Sequence, residues 1–221
     1  MTSTGLNQPK RSGLPTQEPG RRKGTLLLYL AGGLALIALL LFILLRMRPP
    51  EMHGVVLQSP QRATDFTLTA STGEPMSLSD LRGKHVLIYF GYTFCPDVCP
   101  TTLADLRMMA QELGEERMQD VQVVMVSVDP ERDTPDRLAD YMGFFDPTFL
   151  GMTGPLEEII AASTQFGVYF EQNRVEGASE YLVDHTSTVT LIDPDGYIRM
   201  VFPYGTAGED MAADVQYWMR R

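Results

Sequence analysis

Cysteine, histidine and tryptophan are all scarce in this chain of 221 residues, with two, three and one of each. Two cysteines are too few to staple a disulfide scaffold, so the fold has to rest on an apolar core, for which 44% apolar composition suffices. Basic charge is also scarce once the N-terminus is set aside. Residues 1–24 carry five basic residues against one acidic, whereas the remainder carries thirteen against twenty-seven. So acidic a chain lacks the basic face that a nucleic-acid partner requires, and its folded part is repelled by anionic lipid. Internal repeats are absent, as is low-complexity sequence beyond the first 24 residues.

One long chargeless run stands out. Residues 1–24, broken by Gly5, Pro9, Gly13, Pro15, Pro19 and Gly20, read as a disordered tail. Residues 25–45 then hold no charge, and 21 residues at about 1.5 Å each cross a hydrocarbon core of about 30 Å. Arg21, Arg22 and Lys23 precede the run, and Arg46 and Arg48 follow it. The positive excess predicts a single-pass anchor with a cytoplasmic N-terminus and everything after Arg46 exported. A cleaved signal peptide would have a shorter apolar core and a small-x-small site, and none follows Leu45. The prolines and glycines of the tail do not suit an amphipathic transit peptide. They favour a bacterial membrane, with the domain on its periplasmic side, over the mitochondrial intermembrane space. Residues 46–62, with Pro49, Pro50 and Pro60, read as a linker, His53 within it as solvated, and residues 63–221 as one folded domain.

Both cysteines lie in Tyr92-Thr93-Phe94-Cys95-Pro96-Asp97-Val98-Cys99-Pro100. The apolar run Val86–Gly91 before it predicts a buried strand. The spacing of Leu103, Leu106, Ala110 and Leu113 after it predicts a helix with Pro100 in its first position. Unpaired N–H groups at a helix start favour anions, so thiolates form there more readily than in free cysteine. On the exported side a dithiol must be re-reduced, masked by a metal, or built to cycle.

The rest alternates. Asp65–Ala70 and Met76–Leu81 predict a hairpin, and Val121–Val128 a second buried strand. Thr134-Pro135-Asp136 opens a helix to about Phe145, and Gly154-Pro155 opens another ending near Phe166. Val168–Glu171 and Tyr181–Val183 read as short strands flanking a polar loop. Thr188–Ile192 is a third core strand, followed by a turn at Asp193-Pro194-Asp195-Gly196, a partner strand over Tyr197–Phe202, and a last helix from Glu209 to Met219. That helix is expected to lay Met211, Val215 and Trp218 on the sheet. The pattern is an α/β domain with a mixed central sheet flanked by helices, preceded by one transmembrane helix. With Cys-x-x-x-Cys after the first long strand, it is similar to the thioredoxin fold.

Of the three histidines, His85 opens the central strand at the end away from the thiols and reads as structural. His185 stands immediately before the third core strand. In a thioredoxin-like domain, the loop entering that strand packs on the cysteine loop, with Ser187 about where a thioredoxin has its proline. Two soft thiolates and an imidazole suit Cu(I) and can also hold Cu(II), whereas zinc would seek a fourth ligand. Asp184 is a candidate acceptor to orient the His185 ring. Asp97 reads as a solvated loop acid. Asp129, Glu131, Asp133 and Asp136 read as capping and turn residues, and the thirteen methionines as core filling.

The segments Gly91–Pro100, Ser127-Val128-Asp129-Pro130-Glu131-Arg132-Asp133-Thr134-Pro135 and Asp184-His185-Thr186 together closely resemble the Sco/SenC family of membrane-anchored copper proteins, over roughly residues 60–220. The resemblance implies a thioredoxin-like domain holding one copper, Cu(I) or Cu(II), through Cys95, Cys99 and His185. It further implies a part in assembling the CuA centre of cytochrome c oxidase subunit II, served by a copper donor and a reductant that the sequence does not name. A copper chaperone is the leading expectation. A thiol–disulfide oxidoreductase acting on the CuA-site cysteines through Cys95 and Cys99 is the alternative. A peroxidase is disfavoured, because no threonine stands three residues before either cysteine. A copper or redox sensor would need a signalling module that the tail does not supply.

Overall fold

The chargeless run lies within the first element, α1 (Arg21–Arg46), whose mean hydropathy is 2.7 over Leu27–Leu44. Its 26 residues extend about 39 Å, long and apolar enough to cross a membrane. The computed structural model describes residues 21–46, 51–173 and 181–221, and the chain divides into two units, Met1–Glu51 and Met52–Arg221.

The second unit begins earlier than the linker reading allows. His53 is not simply solvated: its ring lies 3.3 Å from Asp214 Oδ1 and 3.2 Å from Asp210 Oδ1, and its backbone N–H donates to Asp214 Oδ2. Val55–Val56 form β1. A proline-bearing segment without periodicity carries no strand signal, and the partners that order it lie some 150 residues away in sequence.

The expected hairpin is present as β2 (Thr67–Ala70) and β3 (Pro75–Ser77), but Leu78–Leu81 is a 3-10 turn and not strand. Asp80 accepts the Ser77 N–H there, and Asp65 accepts Ser79 N–H and Oγ–H, so side-chain capping replaces the ladder. Next come β4 (His85–Gly91), α2 (Val98–Met118) and β5 (Val121–Ser127). Every residue of β4 and β5 is buried, as a strand covered on both faces requires. Pro100 is the third residue of α2 and not the first, still within the turn whose N–H groups lack helical partners. The helix kinks at Gly114, where φ is 76°.

Thr134 caps α3 (Pro135–Phe145), with Pro135 in its first turn as expected. Beyond it, β6 (Leu150–Thr153) is a strand that the sequence reading lacks; four residues including Gly151 carry too little pattern. Then follow α4 (Leu156–Thr164), β7 (Phe170–Asn173), β8 (Leu182–His185), β9 (Val189–Ile192), β10 (Ile198–Phe202) and α5 (Gly208–Met219). Part of the polar loop between β7 and β8 lies outside the described residues. A side chain at Gly208 would sit 2.4 Å from the Asp105 carbonyl, so its absence lets α5 pack on α2. Met211 and Val215 are buried as expected, while Trp218 is only partly so. Met109, Met125, Met142, Met152 and Met200 also fill the core.

The main sheet runs β1-β10-β9-β4-β5-β6-β2-β3, while β7 and β8 form a separate hairpin. β4, β5 and β6 are parallel, and β9 is antiparallel to β4, with Val189 opposite Tyr89. This is a mixed α/β fold of thioredoxin type. Its topology positions the site: β4 ends at Gly91, β5 ends at Ser127, and β9 begins at Val189, all at one end of the sheet.

Candidate metal centre

The cysteine segment leaves β4 through Gly91, where the backbone passes close to two side chains. A Cβ at Gly91 would lie 2.6 Å from the Tyr89 ring and 2.9 Å from Cys99 Sγ. Cys99, in the first turn of α2, is fully buried, whereas Cys95 is half-buried and both are free thiols. The Cys99 backbone N–H points at Cys95 Sγ, 3.4 Å away, as a helix start presents its unpaired donors.

The two thiols differ. The hydrogen bond from Cys99 draws the Cys95 pKa down to about 3, helped by His185 and by backbone N–H groups and opposed by burial. The same bond, with burial, pushes the Cys99 thiol up. Of the two, Cys95 is therefore the thiol that ionises first, whereas the helix start alone would favour thiolate at both.

His185, the last residue of β8, reaches this pair from the other side. Its Nε2 lies 3.3 Å from Cys99 Sγ, and Nδ1 lies 3.3 Å from the Thr186 carbonyl. If Nδ1 carries the proton and donates to that carbonyl, Nε2 keeps a lone pair turned toward the sulfurs. The two Sγ atoms and one histidine nitrogen all lie within 4.8 Å of one another. Among the described residues no other such group of three is close enough to share an ion. A cavity of about 250 Å³, lined by Cys95, Asp97, Val183 and His185 among others, opens beside them.

Asp184 does not orient the ring. Neighbouring strand residues face opposite ways, and Asp184 projects outward, where Asn173 Nδ2 approaches it at 3.4 Å. The Thr186 carbonyl takes the role expected of it. Asp97 is exposed at the rim, as a loop acid should be. His85 sits at the far end of β4, and burial holds its pKa below the usual histidine value, so it stays neutral and apart from the thiols.

Other residues enter the site without having been singled out. Tyr89 Oη donates to Cys99 Sγ at 3.3 Å, and burial raises its pKa, keeping it a neutral donor. A tyrosine inside an otherwise apolar run, Val86–Gly91, was the available signal, because a buried hydroxyl needs a partner. Tyr92 accepts the Val183 N–H at 3.1 Å and meets the His185 ring edge-on. Asp133, fully buried, accepts from Thr93 N (3.0 Å), Thr93 Oγ1 (2.6 Å) and Ser127 Oγ (2.6 Å), tying the cysteine loop to the end of β5. It is therefore more than a turn residue.

Comparisons with known proteins agree with this geometry. The family model described as SCO1/SenC matches residues 56–220. The human mitochondrial SCO1 homologue is 36% identical over 156 residues, covering 70% of this chain and 52% of that protein, so the chain spans about half the relative's length. The solution structure of apo Sco1 from Thermus thermophilus superposes with a TM-score of 0.69 at 38% identity, covering 76% of this chain and 96% of that one. Arabidopsis thaliana ScoI with copper bound gives a TM-score of 0.67 at 32% identity, covering 72% and 99%. On its family model, its relatives and its fold, the chain belongs to the SCO1/SenC family.

Proposed function

We propose that this protein carries one copper ion as cargo on Cys95, Cys99 and His185 and hands it by ligand exchange to the CuA site of cytochrome c oxidase subunit II. The observation that carries the reading is the approach of His185 Nε2 to Cys99 Sγ at 3.3 Å, across 86 positions of sequence. Two sulfurs and an imidazole make a soft donor set that fits copper, in either common oxidation state, better than the four-ligand closure of a structural zinc site. A copper-bound structure exists for the Arabidopsis relative.

Within the site each residue has a task. Cys95, already a thiolate and partly exposed, makes first contact with the incoming ion or the recipient. Cys99 gives up its proton as the metal binds, and the Tyr89 hydroxyl supports the charge left on its sulfur. Nδ1–H of His185, held by the Thr186 carbonyl, leaves Nε2 free to donate. Exchange then proceeds by replacing one ligand at a time from the open side of the cavity, so the ion never enters water. The chargeless stretch of α1, preceded within the helix by Arg21, Arg22 and Lys23, anchors the domain with its N-terminus in the cytoplasm and the copper site on the exported side.

A competitive titration of Cu(I) against a chelator tests the site. His185→Ala in the full chain is expected to weaken binding; unchanged affinity overturns the three-ligand assignment. Deleting the protein and quantifying CuA at low and high copper tests the delivery role, with rescue by excess copper expected.

A second reading, reduction of the CuA-site disulfide, is favoured by the low pKa and partial exposure of Cys95. The Cys95 thiolate would attack one target sulfur, and the other would leave and take a proton. Cys99 would then lose its proton and attack Cys95 Sγ, closing a disulfide and freeing the second target thiol. Two electrons pass to the target, and an external dithiol reductant restores the pair. His185→Ala should retain this activity while losing copper transfer.

A further inference from the structure

Arg132 is in the acidic loop after β5 and touches no proposed ligand, yet it lies between the two segments that supply them. Its guanidinium carbon stands 4.5 Å from the centroid of Phe94, next to Cys95, and 3.8 Å from that of Tyr181, which leads into β8 and His185. Arg137 covers Phe94 at 4.0 Å, so Arg137, Phe94, Arg132 and Tyr181 make a continuous stack. Asp129, fully buried, joins the same group: it pairs with Arg132 Nε and accepts the Tyr181 hydroxyl at 2.7 Å.

We propose that Arg132 is a positioning residue that clamps the histidine arm to the cysteine arm, so that the three donors are already assembled before copper arrives. The clamp acts through strand periodicity. Tyr181, Val183 and His185 alternate with the exposed Leu182 and Asp184, so they share the inward face. Tyr181 is held by its ring against the guanidinium and by its hydroxyl on Asp129 and Glu131, and the Val183 N–H is held by the Tyr92 hydroxyl. With two inward positions fixed, the third, His185, has its direction set. A planar guanidinium suits this place because it can lie against two rings and still bond a carboxylate in its plane; an ammonium has no face to stack. Without it, His185 swings with its hairpin, and each binding event has to order that segment first.

The inference rests on the copper reading for its purpose but not for its test. In the full chain in detergent, Arg132→Met removes charge and plane, while Arg132→Lys keeps the charge alone. Cu(I) affinity, measured against a competing chelator, is expected to fall about 10- to 100-fold in Arg132→Met, the range for residues that support ligands from behind. Arg132→Lys is expected to recover only part of that loss. In the copper-free chain, amide hydrogen exchange is expected to quicken over residues 181–185 and stay unchanged in β4 and β5. Tyr181→Phe, which keeps the ring on the guanidinium but loses the hydroxyl's bonds to Asp129 and Glu131, should show the same pattern more weakly. Unchanged Cu(I) affinity in Arg132→Met, or faster exchange spread evenly over the sheet, overturns the clamp. If the unsubstituted chain takes up no Cu(I), the copper reading has failed, and the exchange pattern alone decides whether the clamp exists.

Discussion

Tyr89 donates a hydrogen bond of 3.3 Å to the sulfur of Cys99, ten residues along the chain, in the interior of the domain. A neutral donor beneath a buried sulfur supports the reduced pair, because a disulfide sulfur accepts hydrogen bonds less well than a thiol sulfur whose own proton is drawn toward Cys95. In Tyr89→Phe the Cys95–Cys99 disulfide is therefore expected to gain relative to the dithiol. At about 1 kcal/mol for a lost hydrogen bond, the midpoint potential falls by about 20 mV. Equilibration of the purified protein with a glutathione or dithiothreitol redox buffer measures it.

The unequal thiols predict unequal chemistry. Alkylation of the copper-free protein by iodoacetamide should fall on Cys95 and spare Cys99. Its rate should stay nearly flat as pH falls from neutral, dropping only on approach to the pKa of about 3. The sign for stability follows: a depressed folded pKa contributes stability above the unfolded thiol value of roughly 8.5. That contribution is lost progressively as pH falls from there through about 3. Mass spectrometry of modified peptides across pH checks the reactivity, and urea midpoints across the same range check the stability.

Gly91→Ala places a methyl group 2.6 Å from the Tyr89 ring and 2.9 Å from Cys99 Sγ. Overpacking of this kind costs about 1–3 kcal/mol. Both the thermal midpoint and Cu(I) affinity are expected to fall, the latter because the displaced sulfur is a proposed ligand. Gly143→Ala is the control, since a Cβ there meets nothing within 4 Å.

Asp184→Asn is expected to leave Cu(I) affinity unchanged and stability within about 0.5 kcal/mol, as exposed substitutions do. Asp133→Asn is expected to lose 1–3 kcal/mol, roughly the cost of mispairing a buried acceptor, because its amide would set a donor against Thr93 or Ser127. Chemical denaturation separates the two. Equal losses would reverse the roles given to these acids.

Much of the fold was legible because its signals are local. The apolar runs of β4 and β5, the Thr134-Pro135 start of α3 and the Asp193–Gly196 turn each declare themselves within a few residues. β6 and β1 did not, since two to four residues carry no reliable period and their order comes from pairing with distant strands. Likewise the acids of the β5–α3 loop look alike in sequence. Burial alone makes Asp133 a brace for the cysteine loop and leaves Asp136 in the first turn of a helix.

Composition, spacing and family motifs by themselves determined the chargeless span, the α/β class and the three candidate donors. What the tertiary structure decided is how those donors differ. Cys95 sits where a helix N–H reaches its sulfur while Cys99 is enclosed above Tyr89, and the His185 ring is directed by a carbonyl and a clasped hairpin instead of by its acidic neighbour. The physical reason is that residue type sets which chemistry a side chain can perform, whereas desolvation and hydrogen-bond partners set its charge and direction. Those come from chain segments that meet only when the sheet closes.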